Sequence, residues 1–539
     1  MPDAQDSRAA NQMVLSHPAR NSLSLPAGIF AERSRNLGLV VETASDAPLG
    51  VRAVRILLAC IATVTVVVAG FVEAQELDFS ASRVVVDFSK RIRPWDGFGF
   101  NYVETAQTRD YKNDPQDYGG FSLLTPKRKA EIVERVFGDT GLRVGLLKMF
   151  LDPFHQSSAG GPFDHRTTTE NMRFFAREGW KIAKAAGRDL TIITTLYGPP
   201  AYMTRQKTWR GRDLDPAHKR SLALYLVDWV KFLREQEGLP VRFVSLHNEG
   251  EDWMRWNRAG LTDYAGHDFN MFWPPELVAE MMGLVREELD RAGLKDVGVT
   301  PGECTNWYRF GAWGYAEAIA DDANSLAALG LITSHGFYAG NFGRWFGEHQ
   351  SAGIDRLRAL RPELHAWVTS TSWSAMDAKN VMEHHNNIYT AKVNGIIPWA
   401  GVQRPTKWVG GDPNPGSAFT VREDGSYEVR RGFYFYQQVS RAGQPGMSVA
   451  HTCAMDSELA AIAFAASDAK NPSAFVLINL GKTKKACVLL RGNSAKEFAV
   501  YRTTDDGKDL YRSMGTLAVD NDRIVYEAPG GSVTTFFAR

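Results

Sequence analysis

Cysteine is scarce: Cys60, Cys304, Cys453 and Cys487 are the only four in 539 residues. Cys60 falls in a segment expected to be removed, so at most one disulfide and one free thiol remain. Cys453 and Cys487, both in a strand-rich C-terminal region, are the candidates to pair, subject to their Cα atoms coming close enough. Charge of one sign is also missing. A formal net charge of +1 lacks the basic excess that nucleic-acid binding needs, which excludes that class of partner. No His/Cys spacing suits a metal: His384 and His385 are adjacent, which points their rings apart on a helix. Neither a metal nor an organic cofactor is expected.

What the chain does have is length and aromatic residues. Apolar residues at 44% and charged residues at 23% describe an ordinary globular protein, and the length suits two folded domains. Most of the fourteen Trp lie between Trp180 and Trp408. Their flat faces suit stacking on the C–H faces of sugar rings, with barrel packing the competing use.

From Ile56 to Val72 runs the apolar stretch ILLACIATVTVVVAGFV, preceded by Arg52 and Arg55 and followed by Ala74. It reads as an export signal over 51–75, cut after Ala74, and places the protein outside the cell or in a periplasm. An uncleaved membrane anchor is the alternative, because the run reaches the lower limit for crossing a bilayer. Residues 1–50 lack sustained periodicity and read as a disordered extension or as sequence upstream of the true start.

Residues 76–96 contain one strand, Arg83 to Phe88, which either joins the C-terminal module or precedes the barrel. Over 97–443 short apolar runs alternate with helical patterns, the signature of a parallel (β/α)8 TIM barrel. Strands are predicted at 97–103, 143–150, 190–197, 241–248, 296–302, 331–337, 364–370 and 395–400. Helices are predicted at 126–137, 170–186, 217–237, 275–292, 312–328, 351–360, 377–393 and 433–442, with Pro126, Pro216 and Pro275 near helix starts. Over 444–539 short strands between polar turns predict a β-sandwich.

In such barrels the site lies at the C-terminal strand ends. The fourth strand ends His247-Asn248-Glu249-Gly250-Glu251, the fifth Gly302-Glu303-Cys304, and the sixth Ser334-His335-Gly336-Phe337-Tyr338. An apolar strand ending in Asn-Glu suits sugar chemistry: the Asn248 amide holds a hydroxyl while the Glu249 carboxyl protonates the glycosidic oxygen. A helix cap or surface loop is the competing use of such a pair.

Several passages resemble glycoside hydrolase family 30 and its clan A relatives. Gly97-Phe98-Gly99 is similar to the family's opening strand, and Thr195-Leu196-Tyr197-Gly198-Pro199-Pro200-Ala201-Tyr202-Met203 to its third-strand ending. The passage Ser440-Arg441-Ala442-Gly443-Gln444-Pro445-Gly446 resembles the join of barrel to sandwich, and Gly531 to Phe536 the closing strand. The resemblance runs in order over about 83–539. It implies a glycosidase of β-linked polysaccharides or oligosaccharides with Glu249 as acid/base, a nucleophilic carboxylate ending strand seven, and Trp399 flooring the sugar site. His335 and Tyr338 match the family's strand-six pattern.

Strand seven departs from that pattern. It reads Trp367-Val368-Thr369-Ser370-Thr371-Ser372-Trp373, with Ser370 where the family has glutamate. Four explanations stay open: an inverting enzyme in which Glu303, Glu251 or another carboxylate activates water; a nucleophile supplied by the substrate; an inactive sugar-binding descendant of an enzyme; or an engineered replacement at Ser370. Glu303 is the preferred second carboxylate. Further substrate-lining candidates are Asn101, Trp209, Trp253, Trp256, Trp307, Trp373 and Trp399.

Overall fold

A computed structural model describes residues 81–102, 119–262, 269–337, 350–372, 377–405, 417–466 and 471–539. The expected signal or anchor, the 1–50 extension, Tyr338 and Trp373 lie outside them. Among the described residues no helix is long and apolar enough to cross a membrane.

The first strand, β1 (Ser82–Pro94), precedes eight short parallel strands. These are β2 (Gly97–Asn101), β3 (Leu146–Leu151), β4 (Thr191–Leu196), β5 (Val241–Ser245), β6 (Gly298–Thr300), β7 (Ile332–Ser334), β8 (Ala366–Ser372) and β9 (Gly395–Trp399). All eight fall on the predicted runs. The sheet runs β6-β5-β4-β3-β2-β9-β8-β7, and the parallel bridges Val299 to Leu329 and Cys304 to Ser334 close it into a barrel.

Helices cover the barrel: α1 (Pro126–Phe137), α2 (Glu170–Ala185), α3 (Lys219–Glu235), α4 (Pro275–Arg291), α5 (Trp307–Ala312), α6 (Tyr315–Asp321), α7 (Ala323–Ala328), α8 (Ala352–Leu360), α9 (Ala378–Tyr389) and α10 (Arg431–Ala442). Their starts follow local chemistry. Pro126 opens α1 behind a Thr125 cap, and Asp215 caps the turn at Pro216 that leads into α3. The predicted single helix 312–328 is instead broken. Gly314 takes a left-handed φ of 88°, and the Asp322 side chain accepts the Ser325 N–H to start a new helix. The Gly- and Pro-rich loop before α10 holds a small sheet of β10 (Val402–Gln403), β11 (Phe419–Val421) and β12 (Tyr427–Val429).

The C-terminal module contains β13 (Ser448–Ala454), β14 (Leu459–Ala465), β15 (Ala474–Asn479), β16 (Lys484–Arg491), β17 (Glu497–Thr504), β18 (Arg512–Ala518), β19 (Arg523–Ala528) and β20 (Ser532–Ala538). With β1 they form one nine-stranded sheet, mostly antiparallel, that wraps around its own apolar core. β1 lies between β13 and β16, so the strand preceding the barrel belongs to this sheet.

Strand alternation explains how the two layers join. In β14, Leu459, Ala461 and Ala463 face the sandwich core while Ala460, Ile462 and Phe464 face the barrel. Helix α10 seals that contact: Gln438 donates to Thr503 and accepts from Thr535, and the Tyr436 hydroxyl donates to the Gly99 carbonyl.

Cys453 and Cys487 do not pair. Cys453 is opposite Val85 and Cys487 opposite Arg83, on either side of β1. Two strand spacings, about 9.5 Å, separate them, beyond the reach of a disulfide.

Candidate active site

The barrel interior is built in layers because residues i and i+2 of a strand share a face. Leu146, Ile193, Leu331, Trp367 and Ile397 form an apolar plug. Two residues further along their strands stand Lys148, Thr195 and Trp399, and four further along stands His335. The plug therefore gives way to a polar layer at the C-terminal mouth.

The pairing of β5 with β6 continues past both strands and places two carboxylates side by side. The Glu303 N–H donates to the His247 carbonyl and the Glu249 N–H to the Glu303 carbonyl, at 2.9 and 2.8 Å. Glu249 sits at φ 49°, a left-handed conformation that costs a non-glycine residue energy and marks functional positions. Neighbours hold it there. The Asn270 amide donates to the Asn248 and Glu249 carbonyls, and Arg255 donates to the Glu249 carbonyl and, at 2.8 Å, to its carboxylate.

His335 joins the two carboxylates. Its Nδ1 is 2.8 Å from Glu249 Oε1; its Nε2 is 3.1 Å from Glu303 Oε2 and 3.0 Å from Asn248 Oδ1. Both ring nitrogens face acceptors, an arrangement only the imidazolium satisfies in full. Burial lowers the His335 pKa, but the hydrogen bonds to Glu249 and Glu303 outweigh it and raise the pKa above the usual value.

Glu303 is fully buried. It forms an ion pair with the equally buried Lys148 and accepts from Thr195 Oγ1 at 2.6 Å. Burial pushes its carboxyl upward, yet the Lys148 ammonium and His335 hold it well below the usual carboxylate range. Glu251 is buried too, accepting from the Thr305 N–H and hydroxyl and from Arg309. Glu249 is less enclosed: the residue is buried, yet its side chain keeps 12% of its exposure where those of Glu303 and Glu251 keep none.

On the far side of the mouth, Ser370 lies at a bulge in β8, between Val368 and Thr371, where the register against β9 shifts. It is buried, and its hydroxyl accepts from the Asn101 amide at 3.3 Å. Trp399 ends β9 with its ring edge-on to Phe150. The remaining aromatic candidates divide by burial. Trp307 and Trp256 are packed, their indole N–H groups bonded to Asn387 and to the Arg210 carbonyl, whereas Trp209 and Trp253 are exposed. The sequence reading missed Lys148, Thr195, Arg255 and Asn270. Of these only Lys148 left a signal, a lysine inside the apolar strand Leu146 to Leu151.

Fold and site together define a (β/α)8 barrel with a β-sandwich, the barrel's polar mouth holding the carboxylates of Glu249 and Glu303. No family model and no curated protein matches the sequence. Solved structures match the fold. A GH30 endoxylanase from Clostridium papyrosolvens superimposes with a TM-score of 0.60 at 16% identity, over 85% of this chain and all of its own. The catalytic domain of GH30 xylanase C from Talaromyces cellulolyticus gives 0.63 at 16%, over 85% and 100%. An endo-β-1,6-glucanase gives 0.59 at 16%, over 85% and 94%. The fold is that of glycoside hydrolase family 30.

Proposed function

We propose that this protein is an exported glycoside hydrolase acting on a β-linked polysaccharide or oligosaccharide, with Glu249 as general acid. The observation that carries the reading is the Glu249 carboxyl: it stands past the end of the fourth barrel strand, less enclosed than Glu303 and Glu251, and is clamped by His335 and Arg255. A carboxyl held in place at a barrel mouth is what protonation of a leaving oxygen requires. His335, with Nδ1 2.8 Å from Glu249 Oε1, is the group positioned to exchange a proton with it. The structural neighbours, xylanases and an endo-β-1,6-glucanase among them, agree in substrate class.

In this reading Asn248 and Trp399 contact the donor sugar, with Asn101 and Ser370 beside it. Glu303 serves the reaction by orienting His335. Its ion pair with Lys148 makes it a poor acceptor for a proton from water, so a water-activating role fits it less well.

The second reading is a sugar-binding protein without turnover. Ser370 favours it, because a buried serine bonded to Asn101 stands where the resemblance expects a nucleophile. One experiment separates the two: the anomeric products of a β-xylan and β-glucan panel are followed by NMR for the wild type and Glu249→Gln. Hydrolysis that falls at least a hundredfold in the variant supports the acid, and unchanged turnover rejects it.

A further inference from the structure

Two loops at the barrel mouth are zipped into one surface. The loop after β4 carries Trp209 and the loop after β5 carries Trp253 and Met254. An antiparallel bridge joins Gly211 of the first to Leu261 of the second, and another, Trp256 to Thr262, folds the second loop on itself. The Arg212 N–H donates to the Gly260 carbonyl at 2.9 Å, and the Trp256 indole to the Arg210 carbonyl at 2.7 Å. Trp256 is buried as the pin between them, its own N–H donating to the Trp253 carbonyl. Trp209 leans edge-on against Phe154, with ring centres 4.9 Å apart.

The joined loops present apolar groups to water. Trp209 is 50% exposed, Trp253 59% and Met254 75%. Large apolar side chains gathered at the edge of a site mark a contact surface. The platform also continues directly from Glu249, four residues before Trp253, and Arg255 on the same turn grips the Glu249 carboxylate.

We infer that Trp209, Trp253 and Met254 form the subsite for the leaving-group half of the substrate, binding a sugar unit through its C–H face. This rests on the glycosidase reading above. The direction follows from barrel geometry. Asn101 and Trp399 end the first and eighth barrel strands and Ser370 lies at the bulge of the seventh, while the platform rises from the third and fourth, across the ring. The donor ring lies over the former group. Glu249 protonates the oxygen joining the donor to the leaving unit, so the leaving unit extends from Glu249 onto the platform. Indole faces and a thioether, rather than charges, suit an uncharged sugar.

The test uses the full chain, with Trp209→Ala, Trp253→Ala and the double variant. The probes are β-1,4-xylo- and β-1,6-gluco-hexasaccharides, and the matching β-glycosyl fluorides, whose leaving group is a single atom. In the double variant the loss of kcat/KM on the hexasaccharides exceeds that on the fluorides by at least tenfold and falls mainly in KM. Equal losses on both probes, or no loss on either, overturn the proposal. If the wild type cleaves no probe, the glycosidase reading has failed and binding decides the platform. Calorimetric affinity for the hexasaccharides should then drop at least tenfold in the double variant. Unchanged affinity, or no wild-type binding, overturns it.

Discussion

Lys148 and Glu303 form an ion pair closed to water in the barrel interior, drawn from β3 and from the end of β6. Neither group has solvent to fall back on. Thr195 and His335 take the remaining carboxylate capacity, so the pair is embedded in a network rather than isolated.

Removing one partner leaves the other charge buried alone. Lys148→Met should lower unfolding free energy by about 3–5 kcal/mol, and the double change with Glu303→Gln should recover part of that loss. Urea denaturation of the wild type and the two variants measures it; a loss under about 1 kcal/mol for Lys148→Met would contradict the buried pairing.

His335 has a raised pKa, so its hydrogen bonds contribute fully below the unfolded value of about 6.5. That contribution is lost as pH rises through the folded pKa. Activity that depends on its proton should fall over the same range. His335→Gln should remove the alkaline limb of the pH–rate profile, a change a purely structural role would not produce.

His247 behaves oppositely. Burial lowers it to about 4, and its ring packs against Gly302, where φ is 95° and an added Cβ would sit 2.1 Å from the imidazole. The unfolded chain takes up a proton near pH 6.5 and the folded one only near 4. Stability from the neutral ring is therefore present above 6.5 and lost as pH falls towards 4, by on the order of 3 kcal/mol. Unfolding titrations from pH 7 to 4 should show this slope, flattened in His247→Leu. Gly302→Ala should cost roughly 1–3 kcal/mol at any pH.

A second histidine pair lies outside the mouth. His155 Nδ1 and His165 Nδ1 are 2.8 Å apart, with Asp152 beside His155 Nε2 and Asp228 at His165 Nε2. One proton must lie between the rings, so the pair accommodates a single positive charge. Burial lowers His165 against the pull of Asp228, and the stability of the loop 152–166 is lost as pH falls and a second proton binds. Hydrogen exchange of that loop at pH 7 and 5 should show the loosening, and His165→Gln should suppress it. Equal protection at both pH values would count against the shared proton.

Local signals made the architecture legible. Each barrel strand is a short apolar run, and each long helix carries a 3.6-residue apolar stripe, often behind a proline or a capping side chain. These patterns register burial and backbone chemistry within a few residues, so strand positions and the join to α10 could be read directly. The breaks in 312–328 come from the backbone at Gly314 and the extended, capping Asp322, local geometry that a periodic apolar stripe does not encode.

For this protein the sequence by itself determined the barrel, the sandwich and the place of Glu249, because strand order fixes which residues reach the barrel mouth. Only the tertiary structure decided their company. Lys148, Thr195, Glu303 and His335 come from four separate strands, and no spacing along the chain encodes which side chains meet across a barrel. The same holds for Cys453 and Cys487, adjacent in composition yet separated by β1, a strand contributed from the other end of the described chain.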